Sequence, residues 1–319
     1  MVPQTHRQTA WKGISAPGAL DLATMSNSSA QQQPASPFVS GAEMLEAFQR
    51  GERMTVIDSH WARTENSAWE AYVGQHIPGA MFCNPLVHLA SIPSRHKGRN
   101  PLPEPERLQK SFDDWGITDG RPVYIYDAGA NLYAARAWFI FRWAGVQNVR
   151  ILDGGTGAWE AAGGDVAGGI GALRGRGNVE VRPGSMPTLN LEEVDEWREQ
   201  RILVDARERS RYSGQKERFD HQAGRIPGAI NIPVKELFNN HSTRDSSASG
   251  RVKTPEEIRQ ILADNGVTSG DDVCVYSGSG LHSSLFIAAM EYAGLPGAKN
   301  FVGGWSQWSA SPSRPIERD

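Results

Sequence analysis

The stretch "VCVYSGSGLHSSLFIAAMEYAG" at 273–294 places a β-branched strand, a glycine-rich hexad and an apolar segment of helical period in direct succession. In a parallel α/β sheet, ligands bind where loops at the carboxyl ends of strands feed helix N-termini. Gly278 and Gly280 let the backbone turn successive N–H groups inward, and the positive end of the following helix adds to them. The hexad Ser277, Gly278, Ser279, Gly280, Leu281 and His282 therefore reads as a nest for an anion. A thiolate at its head would be stabilised, but the head is Ser277, and a serine hydroxyl is a poor nucleophile without an adjacent base. The plainer alternative is a glycine-rich turn with no chemistry.

Few other residues compete for a chemical role. Cys274 lies inside the apolar strand three residues upstream of Ser277, and Cys83 follows "IPGAMF"; both read as buried packing. There is no CxxC pair and no histidine cluster at metal-ligand spacing. Arg207 and Arg211 stand four apart after a strand ending at Asp205, and alone they read as solvated surface. Asp205 and Asp58 end matching strands, where a carboxylate commonly accepts backbone N–H groups and fixes a turn. Trp159, Trp305 and Trp308 read as aromatic burial around helix starts.

The elements that would position these residues occur twice. "VIDSHW" at 56–61 returns as "LVDARE" at 203–208, and "HIPGAMFCNP" at 76–85 as "RIPGAINIPV" at 225–234. The segment at 123–145 returns at 273–294 with one residue deleted, and "LDGGTGAWEAAGG" at 152–164 returns as "FVGGWSQWSASPS" at 301–313. The offsets (205 minus 58, 226 minus 77, 308 minus 159) all lie near 150, so two copies of one fold stand in tandem. Short β-rich runs alternate with helix-period segments in each copy, which predicts an α/β fold with a mostly parallel sheet flanked by helices. The first copy is expected over 38–165 and the second over 188–319, joined by a linker at 166–187 inside the glycine-rich stretch 161–188. In the first copy the hexad is headed by Asp127, whose carboxylate would repel an anion, so that copy reads as non-catalytic.

Residues 1–37, with "SNSSAQQQPASP", read as a disordered tail, and Met25 makes residues 1–24 a candidate upstream extension. With 33 basic and 36 acidic residues and a formal charge of -3, no bulk attraction to nucleic acid or membrane is expected. No apolar run approaches the roughly 18 residues of a membrane span. Two unpaired cysteines suit a reduced, cytoplasmic location. No metal or cofactor is expected, and the chain is expected to be a monomer.

Taken together, the repeat, the "HIPGA" and "RIPGA" boxes, the hexad and the "GGWSQW" segment resemble the tandem-domain rhodanese family of sulfurtransferases, across about residues 38–319. The resemblance implies two rhodanese-like domains. It also implies transfer of a sulfane sulfur from thiosulfate or 3-mercaptopyruvate to cyanide or a thiol, through a persulfide at position 277. The family carries cysteine there. Gly278 and Ser279 are similar to the mercaptopyruvate type, while Leu281 and His282 depart from its Val and Thr. By the same resemblance Arg207 and Arg211 fall where substrate-binding arginines lie, with Arg211 favoured, and His76 falls where a first-domain histidine assists near Ser279; the alternative for His76 is a turn-stabilising residue, since the second copy has Arg225 at that place. Serine cannot hold sulfur as a persulfide, so this chain as written is expected to be silent in that cycle. Its origin stays open between an introduced change, a natural loss and a serine variant with other chemistry. A catalytically silent module that binds an anion or a partner is the competing function. Phosphatase chemistry is disfavoured because the loop is short and lacks its arginine; serine hydrolysis is disfavoured because "SGSGLH" is not GxSxG.

Overall fold

The computed structural model describes residues 36–62, 64–171, 176–239 and 250–319. Of the expected tail at 1–37, residues 1–35, and with them Met25, lie outside the described residues, while the carbonyls of Ser36 and Pro37 accept hydrogen bonds from Arg150 and Ile151. The first half contains β1 (Phe38–Val39), α1 (Gly41–Gln49), β2 (Thr55–Ser59), α2 (Glu65–Gly74), β3 (Ala80–Cys83), α3 (Pro85–His88), α4 (Pro105–Asp114), β4 (Val123–Tyr126), α5 (Leu132–Trp143), β5 (Val149–Leu152) and α6 (Gly155–Ala161). The second contains α7 (Leu191–Gln200), β6 (Ile202–Asp205), α8 (Arg209–Tyr212), β7 (Ile230–Asn231), α9 (Pro255–Asp264), β8 (Val273–Tyr276), α10 (Leu281–Tyr292), β9 (Lys299–Phe301) and α11 (Gly304–Trp308).

All pairings within these two sheets are parallel, in the orders β1-β5-β4-β2-β3 and β7-β6-β8-β9. Strands β5-β4-β2-β3 thus correspond to β9-β8-β6-β7. The place of β1 beside β5 is taken in the second half by a single parallel bridge from Thr188 to Asn300 of β9. Fully apolar runs such as "VYIY" and "VCVY" are buried along their whole length, as strands covered by helices on both faces must be. The helix starts also repeat: Ser40 with Glu43, and Asn190 with Glu193, form reciprocal capping boxes at α1 and α7.

The halves share one apolar core, to which α5 contributes Trp138, Phe139 and Phe141 and α10 contributes Leu285, Phe286 and Ile287. The repeated "IPGA" boxes have a mechanical role visible in both halves. The backbone N–H of Ile77 donates to the Tyr126 hydroxyl at 3.1 Å, and that of Ile226 to the Tyr276 hydroxyl at 3.2 Å. Each box thereby pins the last residue of the strand that leads into the hexad.

Candidate active site

The hexad starts where β8 ends. The carbonyls of Ser277 and Gly278 turn away from the loop's interior and accept the N–H groups of Trp305 (2.8 Å) and Ser306 (2.9 Å) at the start of α11. Gly304 permits this approach: its φ is +53°, and a Cβ there would stand 2.3 Å from the Ser277 carbonyl oxygen. Gly280, at φ +82°, leads into α10, and its N–H donates to Ser277 Oγ at 3.2 Å. Ser277 is fully buried, and its hydroxyl also lies 3.4 Å from that of Ser283. No base contacts Ser277 Oγ among the described residues.

The first-domain loop shows what this geometry holds. Gly155, at φ +58°, fits against the Asp127 carbonyl as Gly304 fits against that of Ser277. Asp127 folds its carboxylate back into the nest. Oδ1 accepts the N–H groups of Gly129 (2.8 Å) and Asn131 (3.0 Å), while Oδ2 accepts those of Tyr133 (3.0 Å) and Ala134 (3.3 Å). Burial pushes its pKa upward, opposed by these four hydrogen bonds. The sequence implied repulsion of an anion; the structure shows instead that the loop is already filled by one of its own. In the second domain the corresponding loop is headed by a neutral hydroxyl.

Two guanidinium groups approach Gly278. A Cβ on that glycine would lie 3.2 Å from Arg211 Nη1 and 2.9 Å from Arg99 Nη2. Arg211, on α8, donates to Glu217 and to Asp220 (Nη2 to Oδ2, 2.8 Å). Arg99 comes from the first domain, pairs with Asp220, and donates its backbone N–H to Ser306 Oγ at 3.0 Å. Burial, and then the like charge of Arg211, push the Arg99 guanidinium down to about 10. Its neighbour Asn100 donates to Ser279 Oγ at 2.8 Å. Sequence reading missed Arg99 and Asn100: "GRNPLPEPE" at 98–106 returns as "GRVKTPEE" at 250–257, ahead of α4 and α9, and this further repeat, with its basic residues in a loop, was the available signal.

Arg207 is held by its own domain, apart from Nη1, which is buried without a hydrogen-bond partner. It is buried, its Nε and Nη2 engage Asp205 (2.9 and 2.6 Å), Nη2 also donates to the Gly224 carbonyl at 2.7 Å, and its guanidinium lies over the Trp305 ring. A fork bound this way to a buried carboxylate is an internal tie. Asp205 also accepts the Arg207 backbone N–H at 2.9 Å, so its turn-fixing role is realised. His76 is not brought to Ser279. Its ring stacks on Tyr72, its Nδ1 lies 2.8 Å from the Tyr72 carbonyl oxygen, and its backbone bridges Ala167. Ser279 pairs with Asn100 instead. Position 76 is Arg225 in the second copy, where it pairs with Glu317 and Asp319, so the two copies use this position for different local ties.

Leu281 and His282 open α10, both half-buried. Burial, with the Arg211 charge second, pushes His282 down to about 4, so it is neutral near pH 7. A histidine depressed in the fold contributes stability that is present above its unfolded value of about 6.5 and is lost as pH falls toward the folded value. His282→Gln is therefore expected to lose less stability than the parent between about pH 7 and pH 4.5 in urea unfolding. Equal losses would remove His282 as a contributor. Cys274 is fully buried in β8, where burial drives its thiol pKa far up, as does that of Cys83.

The family described as "Rhodanese-like domain" matches this chain twice, at residues 40–162 and 190–311. The chain belongs to the rhodanese family. A Mycobacterium tuberculosis relative, SseB, provisionally named a thiosulfate sulfurtransferase, is 34% identical over 285 residues, covering 88% of this chain and 96% of that one. A Pseudomonas aeruginosa relative, provisionally named a 3-mercaptopyruvate sulfurtransferase, is 32% identical over 293 residues, covering 87% and 99%. Among solved structures, SseA from Escherichia coli, described with the 3-mercaptopyruvate sulfotransferases, is similar at a TM-score of 0.71 and 27% identity, over 85% of this chain and 99% of that one. The two sheets described above are thus two rhodanese domains, and the hexad headed by Ser277 belongs to the second.

Proposed function

We propose that this chain is a sulfurtransferase scaffold of the thiosulfate or 3-mercaptopyruvate type, with position 277 as the sulfur-carrying position. The observation that carries this reading is the contrast between two loops of one architecture. One is filled by the carboxylate of Asp127; the other is headed by a neutral hydroxyl and faced by Arg99 and Arg211. The names of the relatives supply the chemistry. A thiolate at 277 attacks the outer sulfur of thiosulfate, whose S–S bond breaks as sulfite leaves with the electron pair, or the thiol sulfur of 3-mercaptopyruvate, whose C–S bond breaks as the enolate of pyruvate leaves with the pair and takes up the proton released from that thiol. The persulfide's outer sulfur then passes to cyanide or a thiol. Backbone N–H groups from Ser279 onward and the α10 N-terminus stabilise the anionic sulfur, while Ser279, Leu281 and His282 shape its surroundings. With serine at 277 the first bond cannot form as a persulfide, and the chain as it stands retains only the binding half of the function.

The domain limits 38–165 and 188–319, a linker between them, a monomeric state and a cytoplasmic location belong to the same proposal. No helix among the described residues is long and apolar enough to cross a membrane.

Arg211→Ala tests the donor site. Each charge-assisted hydrogen bond contributes on the order of 1.5 to 3 kcal/mol, so thiosulfate or pyruvate affinity measured by calorimetry on the Ser277 chain is expected to fall roughly ten- to hundredfold. Unchanged affinity would remove Arg211 from the site.

A further inference from the structure

The helix α5, which follows the carboxylate-filled loop of the first domain, packs an apolar face into the core shared with α10. Arg136 sits within it, 1% exposed, among Ala134, Ala135, Ala137 and Trp138, all fully buried. Its Nη2 donates to the carbonyl oxygens of Leu89 (3.0 Å), Asn100 (3.0 Å) and Pro101 (3.1 Å), tying down the segment that carries Arg99. Its Nε and Nη1 are buried without a hydrogen-bond partner. Nη1 faces the second domain's hexad: a Cβ on Gly280 would stand 3.1 Å from it. Gly280 is the residue whose N–H donates to Ser277 Oγ.

The charges around the hexad are otherwise balanced. Arg211 pairs with Glu217 and Asp220, Arg99 with Asp220, and Arg207 with Asp205; His282 is neutral near pH 7. Arg136 makes no ion pair among the described residues, and burial alone lowers its guanidinium to about 9, which leaves it cationic at neutral pH. A buried, uncompensated charge is costly. Three carbonyl hydrogen bonds from Nη2 do not require Nη1 to point at the neighbouring domain, whereas stabilising negative charge in the loop does.

We propose that Arg136 is the counter-charge that the first domain supplies, from behind the loop, to an anion held at position 277. This rests on the reading of the hexad as the sulfur-carrying loop. Arg136 is then a positioning residue: it touches no substrate and acts through Gly280 and the loop's electrostatics. The domain without a nucleophile still contributes to the site.

The experiment places a thiol at 277 and reads its ionisation. In the Ser277→Cys chain, the thiolate's ultraviolet absorbance is titrated against pH with the Ser277 chain as the blank, which cancels Cys83 and Cys274. Arg136→Gln keeps a hydrogen-bond donor for the carbonyls but removes the charge. It is expected to raise the pKa of the introduced thiol by about one unit or more, a tenfold or greater loss of thiolate below that pKa. Arg136→Lys keeps the charge and is expected to stay within a few tenths of the parent. Asn100→Ala, which removes the loop's contact with Ser279 but no charge, is expected to shift the pKa less than Arg136→Gln. If the glutamine variant fails to fold, Arg136→Met and the lysine variant are compared instead. An unchanged pKa without the charge, or equal shifts with lysine and the neutral residue, would overturn the proposal. A charge-dependent shift in a Ser277→Cys chain that takes up no sulfur would uphold the role of Arg136 while removing the sulfurtransferase reading.

Discussion

Ser277→Cys is expected to raise sulfur transfer from thiosulfate or 3-mercaptopyruvate to cyanide from background by about a thousandfold or more, the scale on which a covalent nucleophile acts. The loop needs no rebuilding for this. The outward turn of the Ser277 and Gly278 carbonyls and the Gly280 N–H aimed at the residue 277 side chain are already set by Gly304 and α11. Sulfur is larger than oxygen, and Ser283 Oγ at 3.4 Å is the close neighbour that has to accommodate it. What the substitution adds is a group whose anion the nest favours, where serine's alkoxide stays out of reach near pH 7. From the resemblance of Gly278 and Ser279 to the mercaptopyruvate type, 3-mercaptopyruvate is expected to be the faster donor. Steady-state rates with each donor check both statements. A fully folded Ser277→Cys chain at background with either donor would leave the anion-binding module as the better account.

Arg207→Ala carries the second large effect, and it falls on stability. The pair with Asp205 is fully enclosed, so removing the guanidinium leaves a buried carboxylate, the Gly224 carbonyl and the face of Trp305 without their partner. Breaking a buried pair by deleting one member costs about 3 to 5 kcal/mol. Urea unfolding of the Ser277 chain is expected to show that loss. Arg211→Ala, whose side chain reaches the hexad and keeps some solvent exposure, is expected to change stability far less while weakening anion binding. An Arg207→Ala chain of unaltered stability but weakened thiosulfate binding would place Arg207 in the substrate site.

These two arginines show what the sequence could tell and what it could not. The repeat was legible because each copy reuses the same mechanical parts. Ile77 and Ile226 bind the tyrosines that close β4 and β8, and Gly155 and Gly304 relieve the same carbonyl contact. Parallel strands buried on both faces leave continuous apolar runs that cannot be mistaken for amphipathic helix. Register within a motif did not reveal which way a long side chain points. Arg207 and Arg211 share a spacing that suits either a surface or a site, and only the position of Asp205 behind one of them and Gly278 beside the other separates their roles. For His76 the sequence left a site role and a turn-stabilising role open, and a polar residue in a repeated box can be held by its own neighbours, here Tyr72 and Ala167. Arg99, Asn100 and Arg136 were out of reach because the first domain brings them to the second domain's loop across more than a hundred residues of chain.

The most direct test of the account is intact and peptide mass analysis of the Ser277→Cys chain after brief treatment with donor and removal of excess. The expected result is a gain of one sulfur atom, located at residue 277, lost on addition of cyanide, and absent from the parent Ser277 chain treated in parallel. Sulfur gained equally by both chains, or by neither while the fold is intact and the donor binds, would contradict position 277 as the sulfur-carrying position.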